Sequence, residues 1–410
     1  MNLLATSADY IGFGVKELPS VDLNFIGDII RWLVEGVGIT AIGIILFTLI
    51  LKTIVLPLDV FSKYNTKKQS LIMERMRPQM EKLQKQYAND KNMYNQKVME
   101  LYKKNGYSML GICLPTIVSL VIFMVVFSQF SVYSQYANIE LYRGMSQAYN
   151  EVVSVYVDGE DNPEGFLIPE EVGGETYYRV DFGKFEAYYN AHPDGEHTYE
   201  QLVEGCVTEN DYFIVIEDYM AEEARDAAAD YYHENNQGFL WVGNIWYPDS
   251  PLNKEVPSFS SFVSSLNRVT DLANYEDSYN EVTAHLQAEK SQVNGYFVLI
   301  VLAIGMMFLS QFFSMRMQKS MNELGSVDGS AKRTNKMMLI IMPIIYGLFS
   351  FFYSAGFSIY MIVNTLYSFL TTVIVNRVLD VKFRKAEERR EQEKYIRRPA
   401  SNGKNTGRKR

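Results

Sequence analysis

The chain has 410 residues, 48% of them hydrophobic, and a formal net charge of -9, averages that fit a large soluble protein and hide how unevenly its charges are placed. Charged side chains are absent from Tyr107 to Ile139, from Ser291 to Met315 and from Met337 to Asn376, and Lys52 alone interrupts the apolar run from Thr40 to Leu58. A bilayer core takes about 20 helical residues, so these stretches exclude an ordinary soluble fold, and two cysteines, Cys113 and Cys206, exclude a disulfide framework.

The first two uncharged windows hold one span each, the third holds two, and the Lys52-bearing run makes five. Loop charge orients them. Residues 61–111 carry 11 Lys+Arg against 4 Asp+Glu, residues 316–336 carry 5 against 2, and the tail 377–410 carries 13 against 5. Residues 135–294 carry 31 acidic side chains and 7 basic ones. Positive loops stay in the cytoplasm, which puts the N-terminus outside, the C-terminus inside and the acidic segment outside. The expectation is an all-α polytopic protein of the bacterial cytoplasmic membrane, with five transmembrane helices, a cytoplasmic helical hairpin and a small α+β extracellular insertion. On that topology Cys113 and Cys206 lie on opposite sides and remain free thiols.

Residues 1–38 show no basic region ahead of a signal-like apolar stretch. Within them Asn24 to Val37 places Phe25, Ile26, Ile29, Ile30, Leu33 and Val34 at helical period against Asp28, Arg31 and Glu35, as an amphipathic helix on the outer surface with Trp32 at headgroup depth would. Residues 39–60 form the first span. An ammonium in hydrocarbon costs about 2.5–3.5 kcal/mol, so Lys52 either lines something polar or snorkels toward the interface, where Asp59 lies about 10 Å along the helix.

Residues 61–111 are basic and helix-rich, with a break at Ala88-Asn89-Asp90 and a proline, Pro78, expected to kink the first arm. Leu71, Met76, Met80 and Leu83 before the break, and Met93, Val98, Leu101 and Tyr102 after it, recur at helical spacing. They fit two arms folded as an antiparallel hairpin, either a mobile methionine-bearing contact surface or two helices that only bury each other. The second span, 112–134, carries Ser119, Ser128 and Gln129 and runs on past Tyr136.

Residues 135–238 are acidic and tyrosine-rich. Turn signals at Asp158-Gly159, Gly173-Gly174 and Pro193-Asp194-Gly195 separate strand-like runs Val152–Val157, Thr176–Phe182 and Tyr212–Glu217, with a helical run from Tyr219 to Tyr232. His192, His197, His233 and His285 show no metal-ligand spacing such as HExxH, and the surface reads as solvated acid. In 239–294 the stretch GFLWVGNIWYPDSP from Gly238 suits an interfacial segment returning the chain to the bilayer. The third span, 295–315, ends near Ser310 and Gln311, and a short basic loop, 316–336, follows. The fourth and fifth spans, 337–353 and 357–376, are joined by a turn at Tyr353 to Gly356. Pro343 is expected to kink the fourth, and Asn364, Thr365, Ser368, Thr371 and Thr372 make the fifth the most polar. The tail, 377–410, is a basic helix that frays; it suits anionic lipid, ribosomal RNA or a plain topology anchor.

In this order the pieces resemble the YidC-type membrane protein insertases of the Oxa superfamily. The first span ending in a basic residue and LPL (Lys52 to Leu58) is similar to the family's first core span. RPQMEKLQKQY (Arg77 to Tyr87) with MELYKKNG (Met99 to Gly106) looks like its cytoplasmic hairpin, and GICLP (Gly111 to Pro115) like the entry to its second span. FLWVGNIWYPDS (Phe239 to Ser250) is similar to its external return segment, and MPIIYGLFSFFYSAGFSIYMIVNT (Met342 to Thr365) to its last two spans. Departures are Lys52 where the family usually has arginine, Ser119 for glutamine, Val121 and Ser354 for prolines, and Ser108-Met109 for an asparagine-proline pair. The insertion from Gln135 to Gly238 has no counterpart in the resemblance.

The resemblance implies a five-helix bundle around a hydrophilic groove, open to the cytoplasm and to lipid and closed outside, with the positive residue central. Ser119, Gln311 and Asn364 are the polar neighbours expected for Lys52. Such a protein inserts and helps fold new membrane proteins and is not an enzyme; no catalytic, metal or cofactor-binding residues are expected. Its partners would be nascent membrane-protein substrates and membrane lipids, with the Sec translocon and, through the basic tail, the ribosome beside them. No GxxxxGK[ST] motif occurs, so partition and membrane potential would drive insertion. Two other classes fit the same residues. One is a small-solute or ion transporter built on Lys52, against which stand the lack of a repeated span pattern and of a second intramembrane charge. The other is an extracellular receptor anchored by its spans, against which stand the basic hairpin and the internal lysine.

Overall fold

A computed structural model describes residues 14–107, 110–159, 162–172, 175–192, 197–266, 272–317 and 330–396. The elements in order are α1 (Phe25–Glu35), α2 (Thr40–Gln86), α3 (Lys91–Asn105), α4 (Leu110–Val155), β1 (Leu167–Val172), β2 (Glu175–Val180), α5 (Phe182–Ala191), α6 (Tyr199–Leu202) and α7 (Glu209–Asn235). They continue with α8 (Phe259–Ser265), α9 (Glu276–Val282), α10 (Gln287–Ser291), α11 (Val298–Met317), α12 (Ser330–Phe352) and α13 (Ala355–Ile396). Among the described residues four helices are long and apolar enough to cross a membrane, in α2, α4, α11 and α13, and the shorter apolar stretch Lys336–Phe352 lies in α12. Their side chains show why the chain-wide hydropathy misled. Ile50 and Ile54 of α2, Leu120 and Met124 of α4, Val301 of α11, Ile344 of α12 and Ile374 of α13 are exposed, and only lipid makes such a surface stable.

The chain divides into two compact units. One comprises residues up to Ala41, Gln129–Val298 and Phe351–Phe357. Its core gathers aromatic and aliphatic side chains from the second half of α4 and the residue after it (Tyr142, Met145, Tyr149, then Tyr156), from α5 and α7 (Phe185, Ile216, Met220, Tyr232), and from α8 and α9 (Phe262, Tyr279). Tyr142, Phe262 and Tyr279 form an aromatic cluster with centroids 4.7–5.0 Å apart, and the Tyr279 hydroxyl donates to the Pro257 carbonyl and accepts from the Tyr142 hydroxyl. The insertion is mostly helical. Its sheet is one antiparallel ribbon, β1 on β2, with Leu167 opposite Val180; both are buried, which a two-stranded ribbon requires for stability.

Only one of the three expected strands forms there. Thr176–Phe182 overlaps β2, but Val152–Val155 closes α4, and Tyr212–Glu217 lies inside α7. A capping box decides the latter: the Thr208 hydroxyl accepts from the Asp211 amide while the Asp211 carboxylate accepts from the Thr208 amide, so a helix starts before the β-branched run begins. β1 had no expected counterpart. The turn signals Gly173-Gly174 and Pro193-Asp194-Gly195 lie outside the described residues, as does the side chain of Cys113; Cys206 is a free thiol.

α1 is capped by Asn24, whose side chain accepts from the Ile26 and Gly27 amides, and it buries Gly27, Ile30 and Val34 while Phe25 and Trp32 stay exposed. The return segment is a core element of this unit. Trp246 and Tyr247 are buried, and Asn294 clamps the loop, accepting from the Asn244 amide at 2.7 Å and donating to the carbonyls of Asn244 and Pro248 at 3.0 Å. Asp249 accepts from the Trp241 indole and the Tyr296 amide. The turn after α12 joins the same loop, since the Ala355 and Gly356 amides donate to the carbonyls of Tyr247 and Ile245.

The other unit comprises Ile42–Ser128, Leu299–Ser350 and Ser358–Arg410. The helix of its first span does not stop at the membrane-length window: α2 runs 47 residues, about 70 Å, and contains both Pro57 and Pro78. It turns at Tyr87–Asn89 into α3, capped by Asp90 at one end and by Gly106 in a left-handed conformation (φ 68°) at the other. The arms share a core of Met73, Met76, Met80, Tyr94, Val98 and Tyr102. The expected face was turned slightly: Met93 is exposed and Tyr94 is buried, and Leu71 is replaced in the core by Met73. Beyond its apolar stretch α13 runs along α2, with Lys67 paired to Asp380 and Arg75 to Glu387, and with Tyr64 stacked on Phe383.

Candidate functional site

Lys52, Val55 and Asp59 follow one another in α2 at spacings of three and four residues and, with Leu51 one turn before Val55, share one helix face. That face lines a cavity of about 490 Å³. α4 contributes Ser119, Leu120, Ile122, Phe123 and Met124; α11 contributes Met307; α12 contributes Met342, Ile345, Tyr346 and Phe349; α13 contributes Tyr360 and Asn364. Five apolar helices thus meet around one space, whose wall is mostly hydrocarbon, sulfur and aromatic ring. Phe123 and Phe349 close part of it edge to face, with centroids 6.3 Å apart.

Of the four residues expected to act together, the structure brings Lys52, Ser119 and Asn364 to this cavity; Gln311, one turn beyond Met307 on α11, does not line it. Lys52 is half-buried and makes no ion pair or hydrogen bond with a described residue. Ser119 differs from the threonines of α2 and from Thr372 of α13. Thr48, Thr53 and Thr372 each donate to the carbonyl four residues back, the usual fate of a hydroxyl in an apolar helix, and Ser119 has no such bond. The Tyr346 hydroxyl and the Asn364 amide line the same cavity.

Three lining groups were not nominated from the sequence. Asp59 was considered only as a snorkelling partner, yet it lines the same cavity as Lys52. Tyr346 and Tyr360 carry hydroxyls in stretches without charges, the same signal that singled out Asn364. Chemically the cavity offers one cation, one anion, an amide and three hydroxyls inside an apolar wall. It can solvate a short polar segment and can present methionines, which pack adaptably, to an apolar one. Among the described residues no group of three or more His, Cys, Asp or Glu could hold a metal ion.

The model of the 60Kd inner membrane protein family matches residues 32–152 and 230–382, omitting the middle of the insertion. The protein named membrane protein insertase YidC in Fusobacterium nucleatum is 41% identical over 91 residues, 22% of this chain and 42% of that protein. The protein of the same name in Citrifermentans bemidjiense is 34% identical over 122 residues, 30% of this chain and 21% of its own length. That of Leptospira interrogans serovar Lai is 36% identical over 89 residues, 22% of this chain and 14% of its own. The chain spans less than half the length of these curated relatives. No solved structure matches it.

Proposed function

The chain belongs to the 60Kd inner membrane protein family, and from that premise we propose that it is an insertase and chaperone for new membrane proteins, working through the Lys52 cavity. The observation that carries the proposal is a lysine without an ion partner among the described residues, placed on a cavity where five apolar helices meet. A substrate with one span and a short polar end must take that end through hydrocarbon, where each unsatisfied polar group costs several kcal/mol. Lys52, Ser119 and Asn364 would hydrate the end partway across, and an acidic end would be drawn to the ammonium by a Coulomb attraction strengthened by partial dehydration. The apolar part would leave past the methionines into lipid, where burial of its side chains stabilises the product.

In this proposal α12 is the fourth of five spans, α2–α3 form a cytoplasmic hairpin, the insertion lies outside with the N-terminus, and the C-terminus is inside. Asp59 would hold the empty cavity near neutrality, and the acidic substrate end would compete with it for Lys52. Nascent membrane proteins are the substrates, and the hairpin and basic tail are the surfaces for ribosome, lipid or translocon. The test is reconstitution of the purified chain in lipid vesicles with a newly made single-span protein bearing an acidic end. Protease-protected substrate in vesicles with the chain, and none in empty vesicles, is the expected result. Equal protection in both would overturn the proposal.

A further inference from the structure

The return segment, 239–294, carries a second cavity of opposite character. Between Gln135 and Asn294 the chain has only seven basic residues among thirty-one acidic ones. Four of the seven pair with carboxylates: Arg143 with Glu140 and Glu17, Arg179 with Glu170, Lys184 with Asp158, and Arg225 with Glu281. Arg268 lies outside the described residues. The remaining two, Lys254 and Lys290, have no carboxylate partner among the described residues, and both line one cavity of about 530 Å³ whose walls include no acidic side chain. In a segment this acidic, two unpaired cations sharing a carboxylate-free space form a local positive field.

We propose that this cavity binds the phosphate-bearing headgroup of an anionic phospholipid in the leaflet on the insertion's side. Lys254 donates to the Ser291 carbonyl at 2.6 Å, which steadies its ammonium and leaves donors for a ligand; Lys290 is half-buried with no bonded acceptor, and burial holds it below the usual ammonium range. The Ser258 and Ser261 hydroxyls, 3.0 Å apart on the wall, can rotate toward an incoming phosphate oxygen. The volume lies within the range of small-ligand sites. What selects a lipid over a free anion is the apolar part of the wall. Leu252 and Phe352 are 73% and 69% exposed, and Phe352 is the last residue of α12, whose apolar stretch ends there. A headgroup in the cavity would leave its glycerol and chains beside these two side chains. The inference does not rest on the insertase reading.

The test uses the full chain, purified in detergent, stripped of lipid and offered phosphatidylglycerol or phosphatidylcholine, with retained lipid counted by native mass spectrometry. Phosphatidylglycerol is expected to be held in preference, since the choline of the other lipid neutralises its own phosphate. Lys254→Gln/Lys290→Gln is expected to lower its retention at least tenfold, and Lys254→Arg/Lys290→Arg to keep it, with unchanged thermal midpoints showing that the fold is intact. Should the double glutamine variant unfold, each single variant is expected to weaken retention separately. Equal retention by the wild-type and glutamine chains would overturn the proposal. So would release of the lipid by millimolar inorganic phosphate with tight phosphate binding in lipid-free protein, which would make this a free-anion site.

Discussion

Replacing Asn294 with alanine isolates the clamp that holds the return segment. Asn294 and Asn244 are both fully buried, and the asparagine side chain satisfies three backbone groups: it accepts from the Asn244 amide at 2.7 Å and donates to the Asn244 and Pro248 carbonyls at 3.0 Å. Alanine leaves the Asn244 amide and the Pro248 carbonyl without a protein partner, while the Asn244 carbonyl keeps the Tyr247 amide. Each buried orphan costs about 1–3 kcal/mol, and a water entering the vacated space recovers part of that, so the loss should be about 2–4 kcal/mol. For a unit of this size 1 kcal/mol moves the midpoint by about 2–4 °C, which gives a drop of roughly 5–15 °C. Thermal unfolding of the detergent-solubilised chain, followed by tryptophan fluorescence, reads this directly, because Trp241 and Trp246 report from the clamped loop. Leu240→Ser is the control: that side chain is exposed in the same loop and should change stability by no more than about 0.5 kcal/mol. A midpoint for Asn294→Ala indistinguishable from that of the control would refute the reasoning.

Met80→Ala, in the buried seam between α2 and α3, should cost about 2–4 kcal/mol and expose the hairpin to limited proteolysis well before the rest of the chain is cut; unchanged protection would mean the arms do not depend on each other. Glu255 gives a pH prediction. It accepts from Asn236 at 3.0 Å and from the Tyr232 hydroxyl, while burial, and then Glu289, push its carboxyl above the usual range, with His233 opposing them. A raised folded-state pKa makes the protonated carboxyl the stabilising form: that stability is complete below the ordinary carboxylate range and is lost as pH rises through the folded value. Glu255→Gln should therefore stabilise the unit relative to wild type at neutral pH, with the advantage shrinking under mild acid in paired melting curves. An advantage independent of pH would contradict the assignment.

Much of the architecture was legible because single residues mark it. Asn24 before an apolar period announces α1, Ala88-Asn89-Asp90 breaks the hairpin where the structure turns, and the uncharged windows locate the apolar helices. The insertion was harder to read. Tyr212–Glu217 has strand-like composition, and its helical state is set upstream by Thr208 and Asp211, a pair visible in the sequence but three residues apart on a capping rule rather than within the run. β1 was missed because Leu-Ile-Pro-Glu-Glu-Val has a weak alternation and a proline, and it becomes a strand only by pairing with β2. At the candidate site, Lys52 was legible as a charge inside an apolar run, and Ser119 and Asn364 as polar members of apolar spans that the family resemblance suggested as its neighbours. It could not fix how far along α11 the cavity reaches, which is a matter of helix depth and packing, and so Gln311 falls one turn beyond Met307, the cavity residue of that helix.

The central claim is that the charge at Lys52 assists insertion, and one rescue experiment tests it. A bacterial host is depleted of its own insertase and given this chain with Lys52, Lys52→Arg or Lys52→Ala at matched membrane levels, and membrane insertion of a single-span substrate with an acidic translocated end is followed. The account predicts insertion with lysine and arginine and its loss with alanine. Equal insertion by all three would contradict it and leave Lys52 as a lysine that merely reaches for the interface.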